Sequence, residues 1–265
     1  MQSVKAKKNL GQHFLNDEEI ARRIAGTVSA SQLPESLQGV FGSLPIMEIG
    51  PGMGVLTKYL METGRELTAV ELDTESVVYL SKVYPQLKVV EGDFLKMDLK
   101  DIYAGEFCLI GNYPYNISSQ IFFKVLDYRK QIPVVSGMLQ KEVAERICAG
   151  PGSKTYGILS VLLQAWYDCE YLFNVEPHVF TPPPKVRSGV LRLVRNGRES
   201  LGVDEGLFKN VVKTAFGQRR KTLRNSLAPL FKERISEIPP DILALRPERL
   251  GVEQFIDLTK ILEKE

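Results

Sequence analysis

The chain has 265 residues, 44% of them hydrophobic and 25% charged, an ordinary globular composition with room for one sizeable domain and a smaller one. No apolar run reaches the ~18 residues of a membrane span, and the basic N-terminus lacks the apolar stretch of a secretory signal, so a cytoplasmic protein without a membrane partner is expected. A net charge of +2 names no polyanion partner by itself, and 2 histidines with 3 scattered cysteines argue against a His-based triad, a metal centre or a disulfide framework.

Residues 1 to 16 contain Lys5, Lys7 and Lys8 and no acid. Strands follow as near-continuous apolar runs at 44 to 50 (LPIMEIG), 66 to 72 (ELTAVEL), 87 to 92 (LKVVEG), 107 to 112 (FCLIGN) and 132 to 139 (IPVVSGML). That pattern belongs to a sheet buried on both faces. Residues 54 to 63, 74 to 83 and 118 to 129 between them have helical spacing, so the alternation predicts a doubly wound α/β domain with a mostly parallel sheet. Two further strands in YLFNVEPHVFTPPPKVRSGVLRLVR, joined by a proline-rich loop, extend that sheet to seven strands. The stretch NGRESLGVD, 196 to 204, reads as a linker, which divides the chain into domains at 1–199 and 200–265. The second is helical in pattern, with Phe216, Leu223, Leu227 and Leu230 on one face. Residues 207 to 225 carry Lys209, Lys213, Arg219, Arg220, Lys221 and Arg224 without an acid. Taken alone, either basic run is equally a solvated face.

Gly50, Gly52 and Gly54 in EIGPGMGVLT follow a strand and open a helix, where glycine permits a tight turn and close approach of a ligand. Their spacing is not that of the dinucleotide fingerprint. Glu71 ends the second strand about 20 residues on, where a carboxylate can take both hydroxyls of a ribose. Asp93 ends the third strand and can accept from an adenine amino group. Together the three elements outline a site for an adenosine without pyrophosphate. Either acid taken alone is also read as a helix N-cap.

In GNYPYNIS, at the end of the fourth strand, Asn112, Pro114 and Tyr115 supply an amide, a carbonyl in a proline-fixed turn and an aromatic face. The lone pair of adenine N6 is delocalised into the ring, so the nitrogen attacks only when acceptors hold its N–H bonds. The Asn112 side-chain oxygen and the Pro114 carbonyl are candidate acceptors, and Tyr115 can stack on the base. Without the glycine stretch, the same residues would read as a plain turn.

At this point the sequence resembles the Asn/Asp-Pro-Pro-aromatic group of S-adenosylmethionine-dependent amino-methyltransferases, and within it the rRNA adenine N6-dimethyltransferases. The likeness spans nearly the whole chain, and includes KNLGQHFLND (8 to 17), FTPPPKVRSGV (180 to 190) and FGQRRKTLRNSL (216 to 227). It implies a Rossmann-like class I methyltransferase domain with a small all-helical C-terminal domain. His13, Leu15, Gly50, Gly52, Glu71, Asp93 and Asn112 would contact the methyl donor, S-adenosylmethionine. Asn112, Pro114 and Tyr115 would hold the base, and Lys7, Lys8, Lys185, Arg187, Arg219, Arg220, Lys221 and Arg224 would face RNA. The implied activity is dimethylation of two adjacent adenosines in the 3′-terminal hairpin of small-subunit rRNA, by a monomer acting on an assembling 30S particle. Two residues depart from the family pattern. Tyr113 stands where a small aliphatic residue is usual, which would reshape the pocket beside Asn112. His13 stands where Asn is frequent, and read from the residues alone it is equally an RNA-facing or capping group. Alternative readings are an Erm-type large-subunit rRNA dimethyltransferase, against which RRKTLRNSL weighs, and a non-catalytic nucleic-acid-binding factor, against which the intact glycine and Asn-Tyr-Pro motifs weigh.

Overall fold

A computed structural model describes residues 4–7, 10–29, 31, 33 and 35–263; Lys8, expected to face RNA, lies outside the described residues. The strands are β1 (Phe14–Leu15), β2 (Ile46–Ile49), β3 (Leu67–Glu71), β4 (Lys88–Glu91), β5 (Cys108–Asn112), β6 (Val134–Gln140), β7 (Tyr167–Val175), β8 (Phe180–Thr181) and β9 (Ser188–Arg195). The helices are α1 (Glu18–Gly26), α2 (Glu35–Phe41), α3 (Thr57–Met61), α4 (Thr74–Val83), α5 (Ser118–Asp127), α6 (Lys141–Cys148), α7 (Ile158–Gln164), α8 (Glu205–Gly217), α9 (Leu223–Phe231), α10 (Pro240–Ala244) and α11 (Val252–Glu263). Among the described residues one sheet has seven strands in the order β4-β3-β2-β5-β6-β9-β7. Strands β4, β3, β2, β5 and β6 run parallel, and β9 pairs antiparallel with β6. This is the expected α/β sheet. The chain leaves β2 toward one edge and later returns as β5 on its other side, so the switch point lies between these two strands, where open α/β sheets bind ligands.

Three expectations need correction. The helix after the glycine turn starts at Thr57 rather than 54, because Gly52 to Leu56 are still in turns. The proline-rich loop contains a third strand, β8, which pairs with β1 in a separate two-stranded ladder instead of joining the large sheet. The helical run in the C-terminal part is broken, with Phe216 in α8 and Leu223, Leu227 and Leu230 in α9.

The chain divides into two compact units, Met1–Ala144 with Cys169–Arg195, and Glu145–Asp168 with Asn196–Glu265. A single cut near residue 199 therefore misses the segment 145–168. Its grouping follows from burial: α7 hides Leu159, Val161, Leu162 and Leu163 and packs against α8 and α11. In the same unit the Tyr156 ring meets Phe216 edge-on at 6.1 Å, and Gly152 N donates to the Glu248 carbonyl at 2.6 Å. In the first unit α1 and the α3 region place Ala21, Ile24, Leu56 and Leu60 against Ile46, Cys108, Ile110, Val134 and Met138 of the sheet.

Tyr113 follows β5 and is fully buried, its hydroxyl donating to the Ser136 carbonyl at 2.7 Å and its ring edge-on to Phe122. Two paired glycines, Gly111 and Gly137, make room for it. A Cβ on Gly137, whose φ is +145°, would stand 2.2 Å from the Gly111 carbonyl oxygen and 2.8 Å from the Tyr113 ring. The bulk of Tyr113 is thus absorbed by the sheet. Gly137→Ala combines a strained backbone with overpacking and should destabilise the protein by about 2–5 kcal/mol, measured as a lower urea midpoint; an unchanged midpoint would show that the slot has slack.

Candidate active site

At the carboxyl ends of β2, β3, β4 and β5 a cavity of about 590 Å³ opens. His13, Leu15, Gly50, Gly52, Glu71, Asp93, Asn112, Pro114 and Tyr115 all line it. Residues up to about a hundred positions apart in the chain are therefore brought together around one cavity.

Gly50, Gly52 and Gly54 take φ of 63°, 56° and 83°, the left-handed region that L side chains avoid. A Cβ on Gly52 would also meet the Phe14 ring at 2.9 Å. The Gly52 amide donates to Glu71 Oε2 at 3.1 Å, while Glu71 Oε1 accepts from the Leu72 and Asp73 amides at 2.9 Å each. Burial pushes the Glu71 carboxyl up, and these three amides work against it. The cap of α4 is Asp73, not Glu71, which removes the capping alternative for Glu71. An amide already given to a carboxylate is not free to cradle a phosphate, so the turn suits a nucleoside without pyrophosphate.

Asp93 is half-buried and closes its own turn by accepting from the Leu95 amide at 3.0 Å. No helix starts at this turn, so Asp93 closes a turn rather than capping a helix, and it borders the cavity. Asn112 donates its side-chain Nδ2 to the His13 carbonyl at 3.2 Å, which leaves Oδ1 as the acceptor. The Pro114 carbonyl accepts from the Ile117 amide at 3.2 Å and keeps a second lone pair. Tyr115 shares a 2.5 Å hydrogen bond with Ser188 Oγ on β9, and its ring lies 5.5 Å from the His13 ring, tilted by 31°.

His13 is neither a helix cap nor turned wholly to solvent: its Nδ1 bonds the Pro182 carbonyl at 2.7 Å. With the β1–β8 ladder and the bond from Asn16 Nδ2 to Thr181 Oγ1, it straps the N-terminal segment to the proline-rich loop. Lys7, expected to meet RNA, has partners inside the protein: Asp73 at 2.5 Å and Glu75 at 3.0 Å. Burial acts to raise the Asp73 carboxyl, yet hydrogen bonds from Lys7, Gln12 and Ser76 outweigh it and hold the group below the usual aspartate range. Arg187 pairs with Glu176 at 3.1 Å, and Arg219 bonds the Lys154 carbonyl at 2.5 Å. Arg220, Lys221 and Arg224 lie exposed around the break between α8 and α9, and Lys185 lies exposed in the proline-rich loop. These four cations form no ion pair among the described residues.

Glu48 was not singled out as a site residue, although a lone acid in the apolar run IMEI is the signal that could have found it. It lies in β2, 1% exposed, borders the cavity and accepts from Thr57 Oγ1 at 2.6 Å. Burial, with the neighbouring Glu71 charge adding to it, pushes its carboxyl up to about 8. A carboxyl that binds its proton more tightly when folded stabilises the fold fully below the ordinary glutamate pKa and loses that contribution as pH rises through about 8. Glu48→Gln, which cannot ionise, should gain thermal stability relative to wild type as pH rises from about 5 to 9, by on the order of a few kcal/mol. Calorimetry across that range is the check, and a pH-independent difference would mean that Glu48 titrates normally.

The sequence profile of the family described as "Ribosomal RNA adenine dimethylase" matches residues 3–264 of this chain. A protein from Parabacteroides distasonis named "Ribosomal RNA small subunit methyltransferase A" is 62% identical over 266 aligned positions, covering 100% of this chain and 96% of that protein. Among solved structures, a dimethyladenosine transferase from Plasmodium falciparum superposes with a TM-score of 0.73 at 24% identity, covering 93% of this chain and 96% of that one. The 23S rRNA methyltransferase ErmE gives a TM-score of 0.64 at 24% identity, covering 95% of this chain and 100% of that one. These two structures establish likeness of fold, that of the methyltransferases. The match of the family profile along almost the full length places the chain in the ribosomal RNA adenine dimethylase family.

Proposed function

We propose that this adenine dimethylase acts on small-subunit rRNA, methylating N6 of two adjacent adenosines in the 3′-terminal hairpin of an assembling 30S particle, as a cytoplasmic monomer with S-adenosylmethionine as donor. The name borne by its Parabacteroides relative supports the choice of subunit. The orientation of Asn112 carries the mechanism: with Nδ2 given to the His13 carbonyl, Oδ1 is the free acceptor in the cavity.

The cavity fits the donor on physical grounds. The carboxylates of Glu71 and Asp93 border it, a lining suited to a cationic nucleoside and hostile to a polyphosphate. Glu71 would take the ribose hydroxyls and Asp93 the adenine amino group, with His13, Leu15, Gly50 and Gly52 bordering the same ligand. When bound, S-adenosylmethionine supplies a methyl group on a sulfonium sulfur, ready for displacement. Asn112 Oδ1 and the Pro114 carbonyl accept the two N6 hydrogens of the target, which aims the nitrogen lone pair away from the ring plane. Tyr115, its hydroxyl anchored on Ser188, offers its face to the base at about 1–3 kcal/mol of stacking. Nitrogen alkylation makes the remaining N–H acidic enough to lose its proton to water, so no general base is required of the protein.

After one transfer N6 still has a hydrogen for one acceptor. After two it has none, so Asn112 Oδ1 loses its partner while the Pro114 carbonyl keeps only the Ile117 amide, and an acceptor left unsatisfied costs about 1–3 kcal/mol. Product should leave as dimethyladenosine, with the monomethyl form transient.

Labelled donor incubated with separately purified, unmodified small and large subunits tests the substrate. Label confined to the small subunit is expected, and label on the large subunit would overturn the reading. Asn112→Ala should cut methyl transfer at least ~100-fold with only a small loss of donor affinity; wild-type turnover would remove Asn112 from the chemistry. The helical part of the chain would dock RNA through Arg220, Lys221 and Arg224. Reversal of all three to glutamate should lower the log–log salt slope of subunit binding by about 2 and leave donor binding as it was. An unchanged slope would mark these cations as a solvated face.

A further inference from the structure

Lys124 is a charged residue in the wrong place for an ordinary surface lysine. It sits in α5 and is 8% exposed. An ammonium withdrawn from water needs hydrogen-bond partners, and here they are main-chain carbonyls: Phe94 at 2.6 Å and Met97. The Phe94 and Tyr128 rings lie 5.1 and 5.5 Å from the same nitrogen and supply cation–π contact. Burial draws the ammonium below the usual lysine range, against the pull of Asp93, Asp98 and Asp127.

Both carbonyls belong to the turn that carries Asp93. Inside that turn the amides are satisfied, since the Asp93 carboxylate takes Leu95 N, and the Asp93 carbonyl takes Lys96 N and Met97 N at 2.9 and 3.2 Å. Lys124 Nζ gathers two of its outward carbonyls. On the other side, α5 begins at Ser118, immediately after the Asn112–Ile117 segment that borders the cavity. One ammonium therefore ties the Asp93 turn to the helix that leaves the base-holding segment.

We propose that Lys124 is a positioning residue that fixes the Asp93 turn in the geometry needed to recognise the amino group of the donor's adenine. The proposal rests on the reading that Asp93 takes that amino group. A lysine serving packing alone would affect all ligands of the cavity alike, whereas a lysine acting through Asp93 would affect only those that present an amino group.

The test compares the affinity of S-adenosylhomocysteine with that of S-inosylhomocysteine, in which an exocyclic carbonyl oxygen on C6 replaces the amino group, using titration calorimetry on the full chain. Wild type should prefer the adenosine compound by at least ~10-fold. Lys124→Met, which keeps length and loses the donors, should weaken the adenosine compound by about 10-fold and leave the inosine compound nearly unchanged, collapsing the preference. Lys124→Arg should restore it. Should Lys124→Met fail to fold, Lys124→Gln, with one amide donor group, takes its place and should give an intermediate preference. A full wild-type preference in Lys124→Met or Lys124→Gln, or an equal loss for both ligands, overturns the role of Lys124. No preference in wild type instead overturns the reading of Asp93, and the proposal with it.

Discussion

The buried carboxylate of Glu71 is the constraint on which the site depends. Its three amide partners come from two turns, the one after β2 and the one after β3, so one side chain sets the spacing between neighbouring strand ends. Hydrogen bonds to a charged group are worth about 1.5–3 kcal/mol each, enough to hold a glycine turn in the left-handed region. The next residue in this chain of contacts is Asp73, whose amide serves Glu71 and whose carboxylate gathers Lys7 and Gln12. The N-terminal segment is thereby anchored to the same strand end as the glycine turn. That segment in turn supplies the His13 carbonyl that orients Asn112.

The cavity wall uses buried charge in two ways. Glu71 is surrounded by amides, whereas Glu48 has a single hydroxyl partner and a carboxylate neighbour, and its burial pushes the carboxyl up to about 8. Two acids so close would repel if both were ionised, and their different hydrogen-bond environments separate them. A wall of this kind attracts positive charge and repels phosphate. Lys124 is the opposite case, a cation whose partners are carbonyl dipoles.

Tyr113 shows how a departure in one motif is met elsewhere in the fold. The extra ring volume is accommodated by Gly111 and Gly137 on adjacent strands, and the phenol hydroxyl is satisfied by a main-chain carbonyl. Sequence reading placed this side chain beside the base pocket because Tyr113 adjoins Asn112. Tyr113 does border the cavity, but alternation along an extended segment sends neighbouring side chains to opposite faces, and its ring packs into the core against Phe122.

The sequence by itself determined the parallel α/β sheet, the glycine turn, and the acids and Asn-Tyr-Pro segment that end its strands, because each rests on local rules: apolar periodicity, glycine at positive φ, polar residues at strand ends. It also displayed the basic run from Arg219 to Arg224. Tertiary structure alone decided the assignment of residues 145–168 to the helical unit, the β1–β8 ladder, the pairing of Lys7 with Asp73, the anchoring of Tyr115 by Ser188 and the grip of Lys124 on the Asp93 turn. These contacts join segments from 27 to more than 160 residues apart. They are set by strand order and by which strand ends become neighbours, information that no short window of sequence contains.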